Sequence, residues 1–226
     1  MVPQATTPAA PDEIAPELLG VFSPNRAGAL AGVSGKRIGQ WARYGLIRPT
    51  VYEGRPANRY AFYDVAEAIV VHWLSTQGFG YESIHQAIAD ADGRYPDWPL
   101  IRAQVGISRD AVEGDRGMIV ERRNGQYVEI GRPGGQVVLK PELFNRAHDM
   151  LRSGGWLADR LGLERIEVDP EKLGGAPTLR GRRWPVERVA RIAADEDGRA
   201  ILTEDYGLDS RDVAESLQWA NAAAVL

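Results

Sequence analysis

The chain has 226 residues, which is long for one small domain and predicts one large domain or two to three small ones. Hydrophobic residues make up 44% of the sequence and charged residues 26%, which excludes a mostly disordered chain. The absence of cysteine excludes disulfides, thiolate metal sites and cysteine nucleophiles. The longest apolar run, residues 65–74, is too short to span a bilayer, and residues 1–20 lack the pattern of a secretory signal, so we expect a cytoplasmic protein.

The formal net charge of −4 conceals an uneven distribution along the chain. Residues 1–20 carry three acidic and no basic side chains, and residues 61–226 carry twenty basic and twenty-seven acidic ones, which gives −3 and −7. Residues 21–60 carry seven basic side chains and one acidic side chain, a net of +6. Positive charge concentrated in so short a segment is typical of a surface that attracts a polyanion.

The first twenty residues are rich in Pro, Ala and Thr and lack aromatics, which predicts a disordered tail. Residues 21–91 are predicted to form the first folded domain. It begins with two short helices, residues 24–31 and 35–44. Ser23 and Ser34 precede these helices as N-caps, and a glycine that can end the helix follows each one.

The second predicted helix has two contrasting faces. Ile38, Trp41 and Ala42 recur at helical spacing and predict a buried stripe. The opposite face carries cationic, amide and phenol groups: Lys36, Arg37, Gln40, Arg43 and Tyr44. A face of this kind suits the major groove of DNA, where it offers donors to base edges and phosphates.

A hairpin and two more helices are predicted to complete this domain. Residues 51–62 contain two extended pieces around a turn, with Arg55 and Arg59 near its tip. Asp64 is the predicted N-cap of the third helix, and residues 82–91 are predicted to form the fourth.

Three motifs occur in register in this domain: WARYGLIRP at residues 41–49, NRY at residues 58–60 and GFGYESI at residues 78–84. On these motifs, residues 23–84 resemble a MerR-like winged helix-turn-helix DNA-binding domain. The resemblance implies that the second helix reads the major groove and that the wing grips phosphates. The implied contact residues are Ser34, Lys36, Arg37, Gln40, Arg43 and Tyr44 in the helix, and Arg55, Arg59 and Tyr60 in the wing. No counterpart of the family's metal-binding cysteines is present, so a metal-sensing role is not expected.

Residues 92–165 are predicted to form a β-rich middle segment and a helical connector. Short β-prone pieces at residues 118–120, 127–130 and 136–139 predict a meander of two to four strands. Asn124-Gly125 is a strong hairpin signal between the first two pieces.

Residues 166–226 are predicted to form a last module with an extended start. Its three predicted helices cover residues 185–194, 198–206 and 210–223. Ser210 is the predicted N-cap of the last helix, whose predicted buried stripe consists of Val213, Leu217 and Ala220. The whole chain is therefore predicted to be mainly α with a small β meander, an α+β fold.

The last module carries a Gly-x-Pro-x-(aliphatic)-(basic)-Gly-x-Arg-x-Pro run at residues 175–185, followed by Tyr-Gly-Leu-Asp at 206–209 and Leu-x-Trp-Ala at 217–220. This stretch resembles a domain of unknown function, a three-helix, helix-turn-helix-like unit found in VapB-type antitoxins. The positions of this run that are expected to contact a toxin, a dimer partner or DNA, with the choice among the three left open, are Gly175, Pro177, Arg180, Gly181, Arg182, Arg183 and Pro185. At least one of these arginines is expected to pair with the acidic stretch after Asp195, within the module or across a dimer.

No catalytic constellation is found, since the three histidines lie far apart and no nucleophile or metal motif occurs, so an enzyme and a cofactor are not expected. The combined resemblance implies a DNA-binding antitoxin of a type II toxin–antitoxin system. Such a protein neutralises a PIN-domain (VapC-like) ribonuclease toxin and represses its own operon. It binds operator DNA as a homodimer, and no membrane partner is expected. One alternative is a stand-alone MerR-like regulator with a small-molecule-sensing middle segment. Another is a structural nucleoid or excision accessory factor.

Overall fold

The computed structural model describes residues 20–54, 57–92, 98–103, 105–109, 116–121, 127–130 and 142–226. Within these residues the chain is mainly helical with small antiparallel sheets, which confirms the predicted α-dominant composition. The helices before the sheet are α1 (Pro24–Ala31), α2 (Gly35–Arg43), α3 (Phe62–Thr76), α4 (Tyr81–Asp92) and α5 (Pro99–Arg102). The strands that follow are β1 (Gly106–Arg109), β2 (Arg116–Glu121) and β3 (Tyr127–Ile130). The remaining elements are α6 (Glu142–Arg152), α7 (Gly155–Leu161), β4 (Ile166–Glu167), β5 (Thr178–Leu179), α8 (Val186–Ile192), α9 (Glu196–Ala200) and α10 (Ser210–Ala224).

The first two helices begin and end where the sequence predicts. The hydroxyl oxygens of Ser23 and Ser34 accept hydrogen bonds from the backbone N–H of the third residue of α1 and α2, Arg26 and Arg37, each at 3.3 Å. Gly32 and Gly45 follow these helices with φ angles of 77° and 69°, a left-handed conformation that favours glycine. The helix α2 ends one residue before the predicted Tyr44.

The third helix starts earlier than predicted. Its N-cap position is Ala61, and Asp64 lies in the first turn instead of at the cap. The Asp64 carboxylate accepts hydrogen bonds from the Ala61 N–H and the Thr50 N–H, both at 2.8 Å, and from the Trp98 indole N–H at 2.6 Å. Because alanine has no side-chain acceptor, the carboxylate three residues later satisfies the backbone N–H at the cap.

A second carboxylate of α3 is also buried. Glu67 is 2% exposed and accepts hydrogen bonds from the backbone N–H groups of Leu100 at 2.9 Å and Ile101 at 3.3 Å. These donors lie in α5, where the start of a short helix leaves N–H groups without intrahelical partners. Glu67 therefore attaches α5 to the middle of α3, and its burial raises the pKa of the carboxyl group to about 8.

The middle segment contains a three-stranded antiparallel sheet in the order β1-β2-β3. The register pairs Met118 with both Ile107 and Ile130, and the strands predicted at 118–120 and 127–130 are confirmed. Strand β1 was not predicted from the sequence. The predicted strand at residues 136–139 and the Asn124-Gly125 turn lie outside the described residues, as do residues 1–19 of the predicted tail.

The last module opens with the short antiparallel pair β4–β5, which confirms the predicted extended start. Its second helix is α9 continued by a π-helical turn, Ile201–Asp205. The predicted cap of α10 is wrong by one residue, because the side chain of Asp209 accepts the capping hydrogen bond at the Arg211 N–H.

The predicted buried stripe of α10 is only partly correct. Val213 is buried, whereas Leu217 and Ala220 are half-buried, and the inner face instead carries Ser216 and Trp219. The inner face is polar near its start because the Glu215 carboxylate accepts the N–H groups of residues 164 and 165, at 2.8 and 2.7 Å. A search for apolar residues alone misses a face of this kind.

One hydrophobic core joins the two ends of the chain. Its buried side chains run from Phe22 through α1, α3 and α7 to Ile166, Val168 and Trp219. The indole N–H of Trp219 donates to the Gly154 carbonyl at 3.2 Å. A second, smaller core lies within the last module and comprises Leu179, Val189, Ala193, Leu202, Leu208 and Val213. The predicted boundary at residue 166 therefore does not coincide with a division of the main core.

The raised pKa of Glu67 predicts a pH-dependent stability. The folded state holds a proton on Glu67 up to pH about 8, whereas the ordinary value is 4.5, so this stabilisation is complete below pH 4.5 and is lost as the pH rises to about 8. We expect Glu67→Gln to reduce this fall in the free energy of unfolding with rising pH. For one such group the fall is at most about 1.4 kcal/mol per pH unit. The measurement is urea unfolding between pH 5 and 8.

The quantity compared is the slope of the free energy of unfolding against pH, in wild type and in the variant. A comparison is needed because burial lowers the pKa of His72 and His148, and the titration of these histidines changes the stability in the opposite direction. Glu82→Gln, which removes an exposed carboxylate from the next helix, is the matched control, and we expect it to keep the wild-type slope of the free energy of unfolding against pH. Equal slopes for wild type and Glu67→Gln would contradict the prediction.

Candidate nucleic-acid interface

The helix α2 presents the two faces predicted for it. Ile38 and Trp41 are 0% and 1% exposed and lie in the main core, and Ala42 packs against that core. The opposite face carries Lys36, Arg37, Arg43 and Tyr44, which are exposed, and Gln40, which is half-buried. We call these five side chains the basic face of α2. It places three cations and one amide on the surface of a short helix fixed by its apolar side.

Tyr81, the first residue of α4, joins both faces of α2. Its hydroxyl oxygen accepts hydrogen bonds from the Arg37 guanidinium at 2.6 Å and from the Trp41 indole N–H at 3.1 Å. The Tyr81 ring also lies 6.5 Å from the ring of Tyr44, centroid to centroid. Tyr81 was not predicted as a site residue, although it stands within the GFGYESI motif.

The predicted hairpin is held by one antiparallel bridge. Tyr52 and Arg59 exchange backbone hydrogen bonds of 3.2 and 2.7 Å, and the Gly54 N–H donates to the side-chain oxygen of Asn58 at 3.1 Å. The Arg59 guanidinium donates to the carbonyl oxygen of Asn58 at 3.2 Å. The predicted contact residue Arg55 lies outside the described residues.

Two of the residues predicted to contact DNA, Tyr60 and Ser34, have structural roles within the fold. Tyr60 is only 1% exposed, and its backbone pairs with Phe22, so its ring belongs to the core and does not form part of a phosphate-binding surface. Burial raises the pKa of its phenol group. Ser34 is occupied as the N-cap of α2. In both cases the motif position serves to fix the helix and the hairpin.

The glycines and prolines of the 175–185 run shape a packed turn. Gly175 has φ 81°, and a Cβ at this position would overlap the ring of Phe22. The carbonyl of Pro177 accepts the Val186 N–H at 2.9 Å, and Pro185 is the N-cap residue of α8. Gly181, with φ 72°, donates its N–H to the Glu167 carboxylate at 3.1 Å. These residues thus join the last module to the core.

The three arginines of this run have different environments. Arg180 donates to the backbone carbonyls of Glu164 at 2.7 Å and Ile166 at 3.1 Å, and Arg182 donates to the Gly207 carbonyl at 3.5 Å. Arg183 is exposed, with no hydrogen bond or ion pair to another residue in the described part of the chain. Arg180 and Arg182 therefore pair internally, with carbonyl oxygens instead of the predicted acidic side chains.

An aromatic and cationic patch lies beside Arg183. The rings of Trp184 and Tyr206 meet edge to face with centroids 5.2 Å apart, and the Arg188 guanidinium lies 5.8 Å from the Trp184 ring. Tyr206 is 56% exposed. We call Arg183, Trp184, Arg188 and Tyr206 the C-terminal patch. Exposed Trp, Tyr and Arg side chains are the types most often found at the centres of protein interfaces.

Among the described residues, no group of three or more His, Asp or Glu side chains is placed to hold a metal ion. None of the helices in the described ranges is long and apolar enough to cross a membrane. His72 is half-buried and contacts the Trp156 ring edge to face at 4.5 Å, which agrees with its predicted position on an apolar helix face.

Comparison with known proteins identifies one part of the chain. The model of a family described as "Protein of unknown function (DUF433)" matches residues 166–220, so a domain of unknown function is confirmed within the predicted last module. Among solved structures, the chain is similar to the one titled "X-ray crystal structure of Rv2018 from Mycobacterium tuberculosis", with 18% sequence identity and a TM-score of 0.48. That alignment covers 87% of this chain and 96% of the other. No curated protein matches.

The position of Tyr81 predicts the effect of removing its hydroxyl group. We expect Tyr81→Phe to lower the free energy of unfolding by about 1–2 kcal/mol, because the buried indole N–H of Trp41 loses its acceptor. Urea unfolding at pH 7 measures the change. Tyr44→Phe, at an exposed position beside the same helix, is the control and has an effect within about 0.5 kcal/mol. Equal losses for the two variants would contradict the assigned role.

Proposed function

We propose that this chain is a DNA-binding antitoxin that represses its own operon and neutralises a PIN-domain ribonuclease toxin. The DNA-binding part is carried by one observation, the exposed basic face of α2 on a helix whose apolar side is locked into the core. In the proposed complex α2 enters the major groove as the reading helix of a winged helix-turn-helix. The hairpin at residues 51–62 then serves as the wing.

The chemistry of this face suits duplex DNA. Arg43 and Lys36 supply charge for phosphates, and the Gln40 amide supplies a donor and an acceptor for a base edge. Arg37 is bonded to Tyr81 through one guanidinium nitrogen, which leaves its other donors to reach a phosphate. The concentration of charge in residues 21–60 supports the same partner, because the rest of the chain is net negative.

The antitoxin part is supported by the likeness of residues 175–220 to the modules of VapB-type antitoxins. The C-terminal patch offers a surface on which a toxin binds, since it combines the exposed ring of Tyr206 and the half-buried ring of Trp184 with the cations Arg183 and Arg188. A PIN-type active site is built from metal-binding carboxylates, so a cationic patch is complementary to it in charge. In this proposal the protein inhibits the toxin by covering its active site. It binds the operator as a homodimer on paired half-sites.

Substitution of the basic face tests the DNA-binding part. We expect the double variant Lys36→Ala/Arg43→Ala to bind a duplex from its own promoter at least about tenfold more weakly than wild type, because two phosphate or base contacts are lost. Fluorescence anisotropy at one fixed salt concentration measures the affinity.

The control removes the same charge from exposed sites away from α2. Arg183→Ala/Arg188→Ala lowers the net charge equally and is expected to retain DNA binding within about threefold. Both variants are first checked for a wild-type melting curve. If the α2 variant binds as tightly as wild type, or if both variants lose affinity equally, α2 is not the reading helix.

Co-expression tests the antitoxin part. The product of the adjacent small reading frame is expected to arrest growth alone and to co-purify with this chain. Tyr206→Ala is expected to weaken that complex by about 2 kcal/mol if Tyr206 lies at the centre of the interface. Tyr52→Ala, at another exposed tyrosine, leaves the complex intact. An adjacent product that is harmless alone and does not co-purify would contradict the antitoxin assignment.

A stand-alone regulator with a small-molecule sensor is the second candidate. It is favoured by a pocket of about 300 Å³ beneath α3, to which the middle segment contributes Ala147, Met150 and Trp156. A pocket lined mainly by apolar groups, with Thr76, Gln77 and Asp159 as polar members, has the composition of a small-ligand site. Stabilisation by an apolar ligand in a thermal-shift screen, without any toxin partner, would favour this function over the antitoxin.

A further inference from the structure

A separate cleft of about 880 Å³ lies between the first helix and the last module. One wall is α1, and the other walls are α8, the end of α9 and the second half of α10. We call the apolar part of the lining, which consists of six alanines with Leu217 and Trp219, the floor of the cleft. Its size falls within the range of sites for small organic molecules.

Three arginines from three different helices line this cleft. Arg26 comes from α1, Arg191 from α8 and Arg199 from α9. One carboxylate, that of Glu187, accompanies them, so the charged lining carries three positive groups against one negative group. Two residues with side-chain amides, Asn25 and Asn221, also line the cleft. This arrangement concentrates hydrogen-bond donors in a concave space with a largely apolar floor.

The donors of these arginines are only partly satisfied. Arg26 forms an ion pair of 3.3 Å with Glu187 through one terminal nitrogen, while its buried Nε has no hydrogen-bond acceptor among the described residues. Arg199 donates its Nε to the Ala193 carbonyl at 3.0 Å. The side chain of Arg191 is exposed and forms no hydrogen bond or ion pair with another residue in the described ranges. Because the Nε of Arg26 is buried, the donors that a ligand in the cleft can reach are those of Arg191 and the terminal nitrogens of Arg199.

We infer that this cleft binds a small organic anion, a molecule with a phosphate or carboxylate group attached to a compact apolar part. Arg191 and the terminal nitrogens of Arg199 bind the anionic oxygens as charge-assisted donors. The alanine floor leaves room for the carbon skeleton and contacts it. Glu187 holds Arg26 at the edge of the cleft and opposes the anion by like charge. The site is separate from the basic face of α2 and does not depend on DNA or toxin binding.

Isothermal titration calorimetry of the full chain, without DNA, tests this site with pyrophosphate and with citrate at one fixed low ionic strength. We expect saturable binding of at least one of the two probes to a single site. Binding of pyrophosphate alone assigns a phosphate ligand, and binding of citrate alone assigns a carboxylate ligand. Absence of saturable binding by both probes would overturn the inference.

Variants locate the binding within the cleft. Arg191→Ala is expected to weaken the bound probe about tenfold, since a charge-assisted hydrogen bond is lost. Arg188→Ala, on the same helix but outside the cleft, is the matched control and leaves the affinity unchanged. Glu187→Gln is expected to raise the affinity about threefold, because a repelling charge is removed. Equal weakening by Arg191→Ala and Arg188→Ala, or weaker binding to Glu187→Gln, would place the anion elsewhere and overturn the inference.

Discussion

The buried carboxylate of Asp64 is the constraint on which the geometry of the N-terminal half depends. It is 1% exposed and binds three segments that are far apart in sequence: the end of the loop after α2, the start of α3 and the residue before α5. Removal of this carboxylate would leave several buried donors without an acceptor. Asp64 therefore joins the loop between α2 and the hairpin to the start of α3.

The shared core extends this constraint to the C-terminal half. Gly32 after α1 approaches Trp156 of α7 so closely that a Cβ would overlap its ring, and Gly155 approaches Leu30 in the same way. Trp219 of α10 closes the core through its bond to Gly154. A ligand between α1 and the last module thus touches the same rigid unit that supports the basic face, because α1 packs directly against α2.

The sequence predicted those features that depend on neighbouring residues. The caps Ser23 and Ser34 and the faces of α2 follow from local rules, and the structure confirms them. The errors lie where a distant partner decides. Asp64 accepts hydrogen bonds from three segments instead of one helix end, and the ring of Tyr60 lies in the core beside its backbone partner Phe22. The inner face of α10 is polar because Glu215 accepts hydrogen bonds from the N–H groups of residues 164 and 165. Such contacts leave no periodic pattern, so the sequence alone did not indicate them.

The central claim is that the basic face of α2 is the surface that contacts DNA. An NMR titration of the isotopically labelled full chain with a promoter duplex tests this claim residue by residue. The account predicts that the largest amide shift changes fall on residues 34–44 and on the hairpin around Tyr52 and Arg59. Amide shift changes confined to residues 166–220, or none at duplex concentrations that saturate a specific site, would contradict it.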